Sequence, residues 1–180
     1  MKRFELAVPV GAQDHNLGPT HAAVAVVEYG DFECPNCKQA APAVKMLLER
    51  FVGRARLVWR QFPLEEVHPR ALRAALASEV AAGQGKFWPM HDLLFENSRH
   101  LDAAHLRRHA QRLELDMRRY DADMADTVYL QRVREDIEGA SASGVRGTPT
   151  FFVNGVIHDV SFGLQGLFES VEAALAKERR

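Results

Sequence analysis

At 180 residues the chain has the length of one domain that can bury a hydrophobic core. It has 23 lysines and arginines against 24 acidic residues, a formal net charge of -1, which provides no basic field for nucleic acid or for an anionic membrane surface. Hydrophobic residues make up 47% of the chain and charged residues 26%, proportions that are typical of a globular protein and not of a disordered one. We therefore expect neither nucleic acid nor a membrane as a partner.

The first thirty residues have no sustained apolar segment of the kind found in a signal peptide. Glu5 and Pro9 interrupt the early basic stretch, and the apolar run at 22–27 is far shorter than the roughly 20 residues that a membrane span needs. This pattern predicts a cytoplasmic protein. Because structural disulfides are rare in a reducing cytosol, the pair Cys34 and Cys37 is expected to be catalytic or metal-binding.

The first elements predicted along the chain are a strand, a helix and a second strand. The valine-rich residues 22–29 predict a buried strand. Pro35 is suited to the first turn of a following helix, and Pro42 is expected to kink that helix because proline lacks the N–H of an internal helical residue. Residues 56–62 predict the second strand. The apolar face of the helix comprises Ala40, Val44, Leu47, Leu48 and Phe51.

From residue 68 to about 141 the helical period replaces the strand pattern. One helix is predicted to end at Gly83-Gln84-Gly85, a short one covers "KFWPMHDLLFEN", and Asp102 is expected to cap a third. The last helix of this block has an apolar face formed by Leu130, Val133, Ile137 and Ala140.

A hairpin and a final helix are predicted after this block. Residues 151–153 and 156–158 flank Asn154-Gly155, a dipeptide typical of a two-residue hairpin turn. A closing helix is expected over 164–177. The order strand, helix, strand, helical block, hairpin and helix indicates an α/β protein with an all-helical insertion.

These parts resemble the DsbA-like branch of the thioredoxin superfamily. The resemblance rests on "VVEYGDFECPNC", on the helical block and on "GVRGTPTFFVNG", in that order, and it covers residues 21–180. It implies a thioredoxin fold formed by residues 21–64 and 144–180, with a helical insertion at 65–143. Similar proteins often add a strand at the N-terminus, and "FELAV" within the extension 1–20 is a candidate for it.

The resemblance also implies a thiol–disulfide oxidoreductase whose catalytic pair is Cys34 and Cys37. A helix N-terminus stabilises a thiolate at the first cysteine, so Cys34 is expected to attack a substrate disulfide and Cys37 to resolve the mixed disulfide. The dipeptide between them is Pro35-Asn36. Because Asn36 is uncharged and acids lie nearby, we expect the pKa of Cys34 to be only moderately lowered.

Three further site residues follow from the same resemblance. Glu28 lies six residues before Cys34, where similar proteins hold a buried acid, and its implied role is proton exchange with Cys37. Pro149 occupies the position of the family's cis-proline, and Thr148 is expected to pair with an extended substrate peptide.

No bound cofactor is implied, since the cysteine pair carries the electrons. The expected partners are protein or peptide thiols and disulfides, with recycling by a thioredoxin- or glutathione-type system. The sequence specifies neither the oligomeric state nor the direction of electron flow. A cytoplasmic protein would act as a reductase or isomerase, and a protein with an upstream signal peptide would act as an exported dithiol oxidase.

Other readings of the same residues remain open. The cysteines could form half of a zinc site, although no second pair of ligands is found and we expect no metal. The protein could be a peptide-binding chaperone, or a redox sensor whose cysteines do not turn over. His100, His105 and His109 are better explained as a solvated helix face, and the aromatic residues Phe87, Trp88 and Phe95 as core packing with a substrate groove as the alternative. His91 and Asp92 are expected to be capping or buried polar partners.

Overall fold

The computed structural model describes residues 5–160 and 163–178. Its centre is a five-stranded sheet in the order β1–β3–β2–β4–β5. The strands are β1 (His15–Leu17), β2 (Val24–Gly30), β3 (Ala55–Gln61), β4 (Thr150–Val153) and β5 (Val156–His158). The two long central strands, β2 and β3, run parallel, while β1, β4 and β5 pair antiparallel with their neighbours. The α/β thioredoxin fold expected from the sequence is confirmed.

The helices fall into two groups. Helix α1 (Pro35–Arg50) connects β2 to β3, and α7 (Gln165–Glu178) ends the described chain. Between β3 and β4 lies the helical block of α2 (Ala71–Ala82), α3 (Phe87–Glu96), α4 (Ala103–Arg112), α5 (Met117–Asp123) and α6 (Thr127–Ala142). A parallel strand pair requires a crossover connection, and α1 supplies it.

The sheet has a different helical layer on each face. Helices α1 and α7 pack on one face, where alternate residues of β2 and β3 such as Val26 and Leu57 point. The other face carries Val27 and Tyr29 and is covered by the end of α6. Because side chains alternate along a strand, Glu28 and Trp59 belong to the α1 face, and Tyr29 belongs to the α6 face.

Several local predictions are confirmed. Asn154 and Gly155 have φ angles of 47° and 80°, the left-handed values that a type I′ turn needs at both central positions. The carboxylate of Asp102 accepts hydrogen bonds from the N–H groups of Ala104 and His105 at the start of α4. Helix α1 continues through Pro42, and the kink expected there stays a prediction.

The N-terminal strand is not where the sequence suggested. In "FELAV", Phe4 lies outside the described residues, Glu5 forms a single bridge with Val156, and residues 6–8 form no strand. The strand in this region is β1, whose sequence His-Asn-Leu has no strand pattern of its own. It is stabilised by antiparallel pairing with β3, a contact that local sequence cannot reveal.

Candidate active site

The two cysteines lie at the N-terminus of α1, directly after β2. Cys34 is the N-cap residue and Pro35 the first residue of the helix. Pro35 and Asn36 are exposed, whereas Cys34 is 4% exposed and Cys37 is fully buried. Both thiols are free. The predicted dithiol pair is therefore assembled in its reduced form, with one sulfur close to the surface and one beneath it.

The environment of Cys34 favours its thiolate. A hydrogen bond from the Cys37 thiol, helped by the Thr148 side chain and by the N–H groups of Cys37 and Asn36, lowers the pKa of Cys34 from 9.0 to about 5. Only a pKa well below 5 would contradict the moderate reduction expected from the sequence, so that expectation stays a prediction. The uncharged Asn36 contributes through its backbone N–H, a group that does not depend on the side chain between the cysteines.

Cys37 has the opposite character. Burial raises its pKa far above the ordinary thiol value, and its hydrogen bond to Cys34 and the nearby charge of Glu28 act in the same direction. At neutral pH the pair therefore holds one proton, and that proton lies on Cys37. A nucleophilic cysteine must be ionised and a resolving cysteine protonated, and Cys34 and Cys37 have these two protonation states.

Glu28 lies in the middle of β2 beneath the cysteines. It is 2% exposed, and burial together with the charge of Cys34 raises the pKa of its carboxyl group from 4.5 to about 8. Its Oε1 atom has no hydrogen-bond partner among the described residues. Near neutral pH this carboxyl group can change its protonation state, as a proton-exchanging group must.

Thr148 and Pro149 face the cysteine pair from the loop before β4. The peptide bond between them is cis. When Cys34 is protonated, its thiol donates a hydrogen bond to the backbone carbonyl of Thr148, with 3.4 Å between sulfur and oxygen. The loop is fastened by Thr150, whose hydroxyl donates to the carbonyl of Gly147 at 2.7 Å. The structure thus brings all the predicted site residues to one end of the sheet.

Two acids that were expected to oppose the thiolate are engaged by partners. The buried Asp31 accepts hydrogen bonds from His68 Nδ1 at 2.7 Å and from the N–H of Leu64 at 2.9 Å. Glu33 accepts from the backbone N–H of Arg70 at 2.7 Å. These contacts partly offset the two negative charges, and they come from residues more than thirty positions away, which sequence reasoning did not identify.

The histidines and aromatic residues of the helical block divide between surface and core. Phe87 and Phe95 are each 6% exposed, as core packing requires. His109 is also buried, whereas the rings of His100 and His105 stack at 4.7 Å near the surface. Across residues 5–160 and 163–178, no three histidine, cysteine or acidic side chains form a group that could hold a metal ion.

A further residue near the site, His91, was given only a polar packing role by the sequence. It is 7% exposed and is surrounded by the rings of Phe32, Trp59, Phe87, Trp88 and Phe95. The motif "WPMHD" offered no signal for this location, which depends on the packing of α3 against β3.

A strand that leads into a Cys-x-x-Cys helix, a facing cis-proline loop and a helical insertion together define the fold of the DsbA-like thiol–disulfide oxidoreductases. A family model described as thioredoxin matches residues 11–173. The chain belongs to the thioredoxin family.

Solved structures show the same architecture. Wolbachia pipientis alpha-DsbA1 superposes with a TM-score of 0.82 at 21% identity, covering 96% of this chain and 95% of that one. A thioredoxin-like oxidoreductase from Silicibacter pomeroyi superposes with a TM-score of 0.79 at 25% identity, covering 94% of each chain.

A curated relative is similar over nearly the whole chain but is itself much longer. The Na(+)/H(+) antiporter NhaA 1 of Salinispora arenicola is 49% identical over 177 residues, which are 98% of this chain and 27% of that protein. The chain thus spans about a quarter of the length of this relative. In the part of the chain that the structure describes, none of the helices has the length and apolar character needed to cross a membrane.

Proposed function

We propose that this protein is a thiol–disulfide oxidoreductase that exchanges disulfides with protein or peptide substrates. The observation that carries the proposal is the placement of the two thiols, with Cys34 at the N-cap of α1 facing Thr148 and Cys37 fully buried behind it. This placement separates the two pKa values, since it lowers that of Cys34 to about 5 and raises that of Cys37. A structural dithiol has no need of such a separation. A catalytic pair needs one sulfur that is ionised and one that stays protonated until it attacks the mixed disulfide.

The reaction follows from these two states. The Cys34 thiolate attacks a substrate disulfide, forms a mixed disulfide and releases the first substrate thiolate. Cys37 gives its proton to Glu28 and attacks the Cys34 sulfur, which forms the Cys34–Cys37 disulfide and releases the second substrate thiolate. Two electrons pass from the protein to the substrate, and the cysteine pair itself serves in place of a cofactor. The oxidised protein runs the same steps in reverse with a substrate dithiol.

Substrate binding is proposed at the loop before β4. A groove of about 430 Å³ adjoins Thr148 and Pro149 and continues along Ile157 and His158 of β5. An extended peptide that pairs with the backbone of Thr148 would bring its sulfur to Cys34, while its side chains enter this groove. Pro35 and Asn36, which follow Cys34 in the chain, are exposed, and we propose that they complete the contact surface.

The direction of electron flow follows from the environment. A couple with a Cys34 pKa near 5 lies between thioredoxin, near 7, and DsbA, near 3.5. In the cytoplasm predicted from the sequence, glutathione at roughly -220 mV or below would keep such a couple reduced, so the protein would act as a reductase or isomerase. A thioredoxin- or glutathione-type system would recycle it.

The test is turnover of a peptide disulfide with dithiothreitol as reductant. We expect multiple turnovers for the native protein, none for Cys34→Ser, and an accumulated mixed disulfide for Cys37→Ser. A chaperone would keep its activity in Cys34→Ser, and a redox sensor would oxidise once without turnover. Either of these results would contradict the proposal.

The similarity to an antiporter carries a second proposal, about the partner. Because the same sequence region forms 27% of a sodium–proton antiporter in Salinispora arenicola, we propose that an antiporter of that class is a disulfide-exchange partner of this protein. Expression of Cys37→Ser in the native cells should trap a mixed disulfide to a cysteine of the antiporter, identified by mass spectrometry. Recovery of soluble proteins alone would overturn this second proposal.

A further inference from the structure

A cleft of about 430 Å³ opens between α1 and α3, away from the groove beside Thr148. Its lining includes Glu28, Lys38, His91 and Asp92. A carboxyl group that is only 2% exposed therefore lies at the inner wall of an open cleft, while charged residues of α1 and α3 stand along its lining.

Two unpartnered polar atoms lie on the face of the sheet from which Glu28 reaches the cleft. Glu28 and Trp59 are partners in the register of β2 and β3, so their side chains project from the same face of the sheet. Glu28 Oε1 and Trp59 Nε1 are both buried without a hydrogen-bond partner in the described residues. One is an acceptor and the other a donor, a combination that water satisfies in protein interiors.

Gly30 allows the indole of Trp59 to lie at this place. A Cβ atom at Gly30 would stand 2.1 Å from the Trp59 ring, so any side chain there would displace the ring. The ring in turn contacts His91 edge-on, with 4.8 Å between centroids. Glu28, Trp59 and His91 are thereby held in one continuous packing arrangement from the sheet to α3.

The protonation state of His91 is fixed by its surroundings. Its Nδ1 donates to the Asp92 carboxylate at 2.9 Å, which leaves the proton off Nε2 in the neutral ring. Burial among aromatic rings lowers the pKa of His91, and the charge of His15 acts in the same direction, against the opposing effect of Asp92. Lys38, Lys45 and Glu96 also line the cleft. At neutral pH the His91 ring is thus neutral, with an unprotonated Nε2.

We propose that this cleft is the route by which Glu28 exchanges its proton with solvent. We further propose that His91 is the positioning residue that orders the water in the cleft and relays the proton along it. The inference rests on the proposed oxidoreductase function. In the mixed disulfide Cys34 carries no charge, so one of the two causes that keep Glu28 protonated is removed and its carboxylate becomes available. The proton of the Cys37 thiol then passes to this carboxylate, the Cys37 sulfur attacks Cys34, and the bond from Cys34 to the substrate sulfur breaks. Glu28 then gives the proton to water in the cleft, His91 Nε2 accepts it in transit, and the released substrate thiolate takes up a proton from bulk solvent.

The route can be tested by the rate of the resolving step. The reduced protein is mixed with increasing oxidised glutathione, and tryptophan fluorescence gives a plateau rate when resolution limits the reaction. For His91→Phe at pH 7 we expect this rate to fall roughly tenfold, less than the ~100-fold typical of a group that is itself the acid or base. Added imidazole buffer should restore the rate in proportion to its concentration, an effect that a purely structural role would not produce.

A second variant obstructs the cleft with a larger side chain and leaves His91 unchanged. Ala41 lines the same cleft, and Ala41→Phe should slow the plateau rate in the same way. The matched control is His109→Phe, because His109 is equally buried, at 7%, has a pKa lowered by burial and does not line the cleft. Its plateau rate should equal that of the native protein.

The outcomes separate this inference from the proposed function. If the native protein forms no Cys34–Cys37 disulfide with glutathione, the oxidoreductase proposal fails and the proton route fails with it. If the native protein forms the disulfide but His91→Phe and Ala41→Phe resolve at the native rate without buffer dependence, the oxidoreductase proposal stands and the proton route is overturned.

Discussion

The two faces of the central sheet differ in whether their buried polar side chains have hydrogen-bond partners. On the α6 face, Arg60 donates two hydrogen bonds to Asp14 at 2.8 and 2.9 Å and a third to the Tyr29 hydroxyl at 3.1 Å. On the α1 face, Glu28 Oε1 and Trp59 Nε1 find no partner among the described residues. The two settings are one residue apart along both β2 and β3.

The difference appears in the acids themselves. Burial acts to raise the pKa of Asp14, but hydrogen bonds from Arg60 and from the N–H of Gly11 outweigh it and hold the pKa below its usual value. Nothing offsets burial at Glu28, and its pKa rises to about 8. A buried acid with a full set of partners stabilises the fold, whereas one without them is free to exchange a proton.

The largest expected effect concerns the α1 face. Cys34→Ser should abolish disulfide turnover and, at pH 7, lower the unfolding midpoint in urea below that of the reduced native protein, because serine cannot form the thiolate that the folded state stabilises. Turnover and urea unfolding measured on the same preparation check both parts. Residual turnover in Cys34→Ser would show that the pair is not the reacting centre.

The next largest effect is expected from removing the ion pair between Arg60 and Asp14 on the α6 face. Arg60→Met should lower the free energy of unfolding by about 3–5 kcal/mol, because it leaves Asp14 buried with an incomplete set of partners. The double variant Arg60→Met with Asp14→Leu is the control and should recover most of the loss. The pKa of Cys34 should be the same in all three proteins. A shift in that pKa would mean that the two faces are not independent.

The pH dependence of stability sharpens the comparison. A folded pKa near 8 against 4.5 for the unfolded chain means that between these values the folded state binds one more proton, so stability falls as the pH rises through this window. In the oxidised protein Cys34 carries no charge, so burial alone raises the pKa of Glu28, and Glu28→Gln should remove the fall in stability that remains. At pH 7 the variant should be more stable than the native protein.

Urea unfolding of both oxidised proteins at pH 5, 7 and 9 measures that difference. Parallel stability curves for the native protein and Glu28→Gln would contradict the raised pKa.

The smallest effect concerns a buried pair with shared partners. His15 contacts Glu79 at 2.8 Å, and Gln61 also donates to Glu79 at 2.8 Å. His15→Phe should cost about 1.5–3 kcal/mol, the loss of one hydrogen bond to a charged group, because Gln61 remains and phenylalanine keeps the stacking on Phe87. Chemical unfolding measures this cost. A loss as large as that of Arg60→Met would show that shared partners do not protect Glu79.

Local signals in the sequence were enough to find the reacting centre. The spacing of Cys34 and Cys37 after a buried strand, the Thr148-Pro149 pair before an apolar strand, and the Asn154-Gly155 turn each depend on neighbouring residues alone. The capping role of Asp102 is readable for the same reason. Such signals also identified the order of most helices and strands, and with it the fold.

What the sequence did not reveal depends on distant contacts. Strand β1 has no apolar alternation and exists through its pairing with β3. Helix α5 is only seven residues long, too short for a periodic pattern, and was not predicted. The size of the reduction in the Cys34 pKa also depends on a distant contact, because the side chain of Thr148, 114 positions away in the chain, contributes to it.

The central claim is that Cys34 and Cys37 form a redox couple whose reduced state is stabilised by the Cys34 thiolate. The most direct test is the equilibrium of the pair against glutathione buffers at pH 7. Because the pKa of Cys34 lies between those of thioredoxin and DsbA, the account predicts a reduction potential between about -270 and -120 mV. A potential at or below about -270 mV, or the absence of any Cys34–Cys37 disulfide, would contradict it.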